Sequence, residues 1–338
     1  MKIFGTILAS FLISLLIAES ALRFSPEIRK RKKEGEWLRS LMTYDSLLGW
    51  KNLPRAEARQ ETSEFKVNYR TNSSRFRDRE RSYSRNRGFF RILSLGDSIT
   101  FGSSVDRDQR FTDLLEEKLR NIEVINLGVQ GYGLDQELLL LQEEGANYQP
   151  DLILLYLIPD DLTRACYSKM WDRPKPHFIV TEKNELSLAN VPVPKTDFFS
   201  FKNPVSDHLR HLLARRSYLF WLLQDKLYSR KASTLAAVSR EESKEVLAEL
   251  LFSEMKKTAE AVKAPLLIIG ECPGQLIDFL TKKGIYYAPD PLTSYAGPSS
   301  DIFYSDRHPN PRGHKILAEG IYGTLKKKGL IPARHLRR

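Results

Sequence analysis

The run Phe89-Phe-Arg-Ile-Leu-Ser-Leu95 stops on Gly96-Asp97-Ser98-Ile99-Thr100, and that junction limits the folds open to the chain. A short apolar run without polar alternation reads as a strand buried on both faces, the habit of a parallel sheet. Small polar residues at the C-terminal end of such a strand lie at the edge where open α/β sheets bind ligands. A serine there can face solvent while its backbone N–H points into the same cleft. The pentapeptide is not the Gly-x-Ser-x-Gly elbow of α/β-hydrolases. Taken alone, it also reads as a plain strand-to-helix turn with Ser98 as N-cap.

The rhythm continues downstream. Helices are expected near 111–120, 134–148, 241–262, 275–283 and 311–328, with strands at 123–127, 151–158, 265–270 and 285–287. Strands alternating with helices predict a parallel sheet covered on both faces. An insertion at 163–238, rich in proline and aromatics, breaks the alternation. Within it, 177–181 and 185–191 are expected to pair as a hairpin around Lys183-Asn184, and 207–230 to be helical. The apolar Tyr218-Leu-Phe-Trp-Leu-Leu223 reads either as a lid or acyl pocket or as core packing.

Charge is uneven. Ser20 to Arg91 holds 19 Lys/Arg against 9 Asp/Glu, nearly all of the net +11. The basic character therefore belongs to the N-terminal quarter, which argues against a nucleic-acid-binding core. Residues 1–22 hold an apolar run, 3–18, and read as a signal peptide or a single N-terminal membrane anchor. The Arg29-Lys-Arg-Lys-Lys33 run suits anionic headgroups, although the positive-inside rule would keep it cytoplasmic. Residues 23–87 read as a basic linker and a small β-rich annex, in which Phe65-Lys-Val-Asn-Tyr69 alternates like a strand and 71–74 reads as a turn.

Serine needs a base to become a nucleophile. Asp306-Arg-His308-Pro-Asn-Pro311 offers one, in a loop fixed by two prolines, with Asp306 placed to orient His308. Asn126-Leu-Gly128-Val-Gln-Gly131 follows the second strand, where a glycine lets backbone N–H approach an oxyanion. The spacing matches neither a dinucleotide fingerprint nor a P-loop. His314 reads as structural; His177, His208 and His211 read as solvated rather than metal ligands. Cys166 and Cys272, the two cysteines, read as unpaired thiols, and no zinc spacing occurs.

Together these blocks resemble the SGNH/GDSL hydrolase family. Gly96-Asp97-Ser98-Ile99-Thr100 matches its first block, Asn126 to Gly131 its second, and Asp306-x-His308-Pro-Asn its last. The resemblance implies an α/β, flavodoxin-like doubly wound sheet of about five strands in the order 2-1-3-4-5, filling 88–338 around the insertion. It implies a Ser98, His308, Asp306 triad and an oxyanion hole at the Ser98 and Gly131 N–H groups, with Asp97, Asn126 and Asp161 supporting. The third block departs from the pattern: Ile158-Pro-Asp160-Asp161 puts Asp160 where the family has an asparagine donor. A carboxylate there has no proton to give and would repel the oxyanion, so Asp160→Asn is expected to speed the reaction.

The implied activity is hydrolysis of O-acyl or O-acetyl esters on lipids or envelope glycans through an acyl-enzyme, without metal or organic cofactor. The expected location is the cell envelope, membrane-anchored or secreted, with the catalytic domain extracytoplasmic. An O-acyltransferase on envelope glycans and a catalytically weak binding or scaffold protein are the alternatives.

Overall fold

The computed structural model describes residues 2–85, 87–171, 173–195, 213, 216–220, 222–223 and 241–337. Helix α1 (Lys2–Phe24) opens the chain and α2 (Pro26–Leu41) follows, capped by the Ser25 hydroxyl with Pro26 at its first position. Antiparallel hairpins β1–β2 (Met42–Asp45, Gly49–Asn52) and β3–β4 (Glu57–Glu61, Lys66–Arg70) come next. The alternation read in the sequence is real in β4: Val67 and Tyr69 are buried and their neighbours exposed. These two residues, with Phe65, Trp37 and Leu41, form a small core that also takes in Phe101. The N-terminal hairpins are thereby fastened to the segment that follows Ser98.

The sheet comes from β5 (Phe90–Leu95), β6 (Ile122–Asn126), β7 (Leu152–Leu157), then β12 (Leu266–Gly270) and β13 (Tyr286–Pro289). Between β7 and β12 lie the short pair β8–β9 (Lys169–Met170, Arg173–Pro174) and the hairpin β10–β11 (His177–Val180, Leu186–Ala189). All sheet pairings are parallel, in the order β6-β5-β7-β12-β13. In sheet-strand terms this is 2-1-3-4-5, the doubly wound α/β class expected. The helices are α3 (Ser98–Phe101), α4 (Phe111–Lys118), α5 (Leu134–Glu143), α6 (Pro159–Ala165), α7 (Glu241–Ala261), α8 (Gly274–Lys282) and α9 (Pro311–Lys327).

Strand alternation divides the apolar residues between two cores. Leu93, Leu155 and Ile268 pack with Leu138, Phe252 and Leu276 on one face. Ile92, Leu154 and Leu267 pack with Phe111, Leu115 and Leu317 on the other. Burying each such side chain contributes about 1.5–3 kcal/mol.

One local reading changes, two elements are new, and one reading lies mostly outside the described residues. Helix α5 ends at Glu143, and 145–148 tighten into a 3-10 turn, because Gly145 lies against Leu93 and Leu141 where a side chain would not fit. Helix α2 and the β1–β2 hairpin were not legible, since neither carries a clear period; tertiary packing of Trp37, Leu41 and Trp50 holds them. Most of the helix expected at 207–230, including His208 and His211, lies outside the described residues; 218–220 and 222–223 are helical.

Candidate active site

Gly96 ends β5 with φ +147, and a Cβ there would meet Thr100 and the Tyr156 carbonyl. Only glycine accepts that conformation cheaply. The turn makes Asp97, not Ser98, the N-cap of α3: its Oδ1 accepts from Ile99 N at 2.9 Å. Ser98 becomes the first helical residue, 8% exposed at the sheet edge.

The 304–310 loop faces it. Tyr304 N donates to His308 O at 3.0 Å, Arg307 turns at φ +66, and Asn310 caps α9 by accepting from Arg312 N and Gly313 N. This geometry sets His308 Nε2 3.0 Å from Ser98 Oγ. On the ring's other side, Nδ1 lies 3.2 Å from Asp306 Oδ2, close enough to pair but off the line of a straight hydrogen bond. Asp306 Oδ1 accepts from His308 N at 3.0 Å, and Oδ2 accepts from Ser104 Oγ at 2.7 Å. Burial pushes the Asp306 carboxyl upward, but His308 and the Ser104 hydroxyl outweigh it and hold the group below the usual carboxylate value. The Ser98 proton thus has two acceptors within reach, His308 Nε2 and Asp97 Oδ2 at 3.1 Å.

The N-terminal hairpins hold this loop from outside. Tyr69 Oη accepts from Ser104 N at 2.9 Å, Glu64 accepts from Ser305, and Phe65 lies 4.9 Å from the Tyr304 ring. Ser104 sits at φ +68, a conformation these contacts must impose on a serine.

The loop after β6 carries the second group. Buried Asn126 donates from Nδ2 to Thr100 O and Thr112 Oγ1, while its Oδ1 accepts from Gly128 N at 2.9 Å. It ties the β6 end to α3 and α4. Gly131 turns at φ +72 beneath the Trp171 ring, where a Cβ would collide with the indole. Trp50 Nε1 donates to Gln130 O at 3.0 Å, and Gln130 Nε2 donates to Ser103 Oγ at 2.6 Å.

Helix α6 carries the third group. Asp161 is fully buried and accepts from Ile158 N at 2.9 Å. Asp160 is turned outward: its side chain is 74% exposed and pairs with Arg164 Nη2 at 3.5 Å. Arg164 Nη1 donates to Asp97 Oδ2, Asp161 Oδ1 and Tyr132 O at 2.8, 2.9 and 3.1 Å. One guanidinium therefore touches all three N-terminal blocks. Glu137 of α5 is buried beside them with neither carboxyl oxygen hydrogen-bonded among the described residues. Burial, then the Asp97 charge, pushes the carboxyls of both Asp161 and Glu137 well up. Nearby, buried Asp135 pairs with Lys175, and burial pushes the Asp135 carboxyl up to about 6.

Ser104, Tyr69, Trp50, Arg164, Glu137 and Trp171 were not singled out from the sequence. Only Arg164 had a local signal, three residues after Asp161 on one helix face. His314 is buried and its Nδ1 accepts from Phe111 N at 3.2 Å. Cys166 and Cys272 form no disulfide; Cys166 Sγ donates to Leu162 O at 3.5 Å, and burial pushes the Cys272 thiol up to about 12. Among the described residues no group of three His, Cys, Asp or Glu could hold a metal ion.

Several solved structures are similar to this chain at low identity. The TesA crystal structure is 16% identical, covering 71% of this chain and 99% of that one with a TM-score of 0.43. The psychrotrophic esterase EstA from Pseudoalteromonas sp. is 14% identical, over 70% and 97%, with a TM-score of 0.42. The lipase/acylhydrolase from Enterococcus faecalis is 13% identical, over 71% and 97%, with a TM-score of 0.40. No curated protein matches the chain. A family model does, over residues 92–321, which takes in the Ser98 turn, the Gly131 loop, α6 and the His308 loop. By that match over more than half of its length, the chain belongs to the GDSL-like lipase/acylhydrolase family.

Proposed function

We propose that the protein hydrolyses carboxylic esters through a covalent acyl-enzyme. The observation that carries this reading is the 3.0 Å contact between His308 Nε2 and Ser98 Oγ, with Asp306 at the far ring nitrogen. Ser98 Oγ attacks the ester carbonyl as His308 takes its proton. Asp306 holds the ring and stabilises the imidazolium. The N–H groups of Ser98 and Gly131 receive the oxyanion. His308 then protonates the leaving alcohol, and water, activated by the same histidine, releases the acid. The outward carboxylate of Asp160 keeps its charge away from the oxyanion. Asn126 and Asp161 act as supports, and Asp97 as the cap that sets the Ser98 angle.

A cavity of about 550 Å³ opens beside α6, lined by Leu162, Ala248, Pro273 and Leu276 among others. Lys244, Glu245 and Glu271 also line it, whereas Ser98 and His308 do not. In the same reading, α1 anchors the protein to the membrane: Phe4–Phe24 is a 21-residue apolar stretch along which Phe4, Ile7, Phe11, Ile13, Leu16 and Ile17 stand exposed. Residues 88–338 then form the hydrolase domain outside the cytoplasm, joined to the anchor through 23–87.

The decisive experiment treats the full chain with a fluorophosphonate and follows p-nitrophenyl butyrate hydrolysis. Labelling at Ser98 together with ester turnover, both lost in Ser98→Ala, is the expected result. Turnover that survives in Ser98→Ala overturns the reading. Acyl transfer to an added oligosaccharide in preference to water replaces hydrolase with acyltransferase.

A further inference from the structure

The insertion does not leave the apolar helix alone. Glu19, near the C-terminal end of α1, accepts hydrogen bonds from three groups about 200 residues away in sequence. These are Ser217 Oγ at 2.8 Å, Tyr218 N at 2.9 Å and Leu219 N at 2.9 Å. Arg23 reinforces the contact. It donates to Glu19 at 3.0 Å and to Arg216 O at 2.7 Å, and its guanidinium lies 5.7 Å from the Tyr218 ring centre. Glu19 thus does for the short helical piece beginning at 218 what an N-cap would do: it satisfies the first free N–H groups.

The position of this contact gives it meaning. Glu19 stands five residues before Phe24, about 7.5 Å of helix rise inside the end of the apolar stretch. A stretch of 21 residues matches the hydrocarbon thickness with little to spare. A lone carboxylate inside the hydrocarbon is costly, and such residues find partners inside the protein. Among the described residues the donors to Glu19 come from Arg23 and from the insertion, where Arg216 precedes them and Phe220 follows. Leu213 and Leu223 expose 41% and 53% of their surface, as much as several apolar side chains of α1.

We propose that residues 216–220, with Leu222 and Leu223, are a second membrane contact, lying in the lipid interface near the C-terminal end of α1, with Glu19 as the clamp that holds Ser217 to Leu219 there. The partner is the bilayer itself. The charge pattern fits that placement: Arg216 and Arg23 sit at the polar edge, and the Arg29–Lys33 run begins just beyond the helix end, where anionic headgroups would meet it. A two-point contact fixes the tilt of the catalytic domain, whereas a single span would let it swing. The inference rests on the anchoring role of α1 but not on the esterase reading.

The test uses the full chain carrying Cys166→Ser and Cys272→Ser, reconstituted in phosphatidylethanolamine/phosphatidylglycerol vesicles, with a bimane label at one new cysteine. Leu12→Cys reports the span, Leu223→Cys the insertion and Lys282→Cys the aqueous domain. The expected result is strong quenching of the Leu12→Cys probe by nitroxides deep in the acyl chains. The Leu223→Cys probe should shift to the blue and be quenched by nitroxides near the headgroups. Adding Glu19→Ala should drop the Leu223→Cys signal toward the Lys282→Cys level and leave Leu12→Cys unchanged. A quenched Leu12→Cys with an unquenched Leu223→Cys keeps the anchor and overturns the inference, as does a blue shift without lipid quenching, which means cover by protein. If neither probe meets lipid, the anchor and the inference both fall. Quenching at Leu223→Cys that ignores Glu19→Ala overturns the clamp. A cooperative thermal unfolding transition at the wild-type midpoint in each variant shows that the domain is folded.

Discussion

Arg164 Nη1 lies 2.8 Å from Asp97 Oδ2, and Asp97 is the residue that caps α3 immediately before Ser98. The same nitrogen reaches Asp161 and the Tyr132 carbonyl, so the turn that carries the serine and the loop that carries Gly131 share one cation. Their relative placement depends on a side chain that takes no part in the chemistry.

Replacing Arg164 should therefore act on rate before affinity. Arg164→Lys keeps a charge but loses the planar fork that serves several acceptors. Its kcat should fall by roughly 10- to 100-fold, the scale of a misplacement near 1 Å, with KM little changed. Arg164→Met strands buried Asp97 and Asp161 and should cost about 3–5 kcal/mol of stability. Steady-state kinetics and urea unfolding read the two effects. Equal kcat in Arg164→Lys and wild type would remove Arg164 from the positioning role.

Ser104→Ala removes the 2.7 Å donor to Asp306 and leaves His308 in place. A hydrogen bond to a charged group contributes about 1.5–3 kcal/mol. With the loss partly recovered by water, kcat should fall by roughly tenfold. Tyr69→Phe removes the acceptor for Ser104 N and should move kcat in the same direction by less. A Ser104→Ala enzyme at full speed would show that Asp306 needs no help in holding His308.

Asp160→Asn was expected from the sequence to speed the reaction by supplying the family's missing donor. The structure changes that expectation, because the side chain is 74% exposed and faces Arg164. An exposed ion pair is worth about 0–1 kcal/mol, so kcat at pH 7 should change by less than about fivefold. A gain of tenfold or more would mean that the side chain turns inward when substrate binds.

His314 predicts a pH dependence of stability. Burial, with Arg77 and Arg110 nearby, lowers its pKa from 6.5 to about 3. The folded state holds the ring neutral, so Nδ1 can accept from Phe111 N. Between those two values the unfolded chain binds the extra proton. The stabilisation is full above pH 6.5 and is lost as pH falls toward 3, by about 1.4 kcal/mol per pH unit and about 4–5 kcal/mol in all. His314→Gln should show a flatter unfolding midpoint between pH 7 and 4 than wild type. Parallel slopes for the two proteins would refute the assignment.

The sequence by itself determined the sheet and marked the candidate site. Uninterrupted apolar runs such as 152–157 can only be strands buried on both faces, and the helices between them force parallel crossovers. Ser98, Gly131 and His308 were legible because each sits in a short block whose glycines and prolines fix the local backbone. The supports were not legible, for a physical reason. Arg164, Ser104, Tyr69 and Glu19 act through partners 67, 202, 35 and 199 residues away. No local period encodes a partner at that distance; it is chosen when the chain closes and buried polar groups must find whatever donor or acceptor the packing brings near. The direction of Asp160 belongs to the same class. Its sequence position names the block, but the turn of α6 sends Asp161 inward and Asp160 to water, and only the tertiary structure decided which carboxylate would face Arg164 from the surface and which from the core.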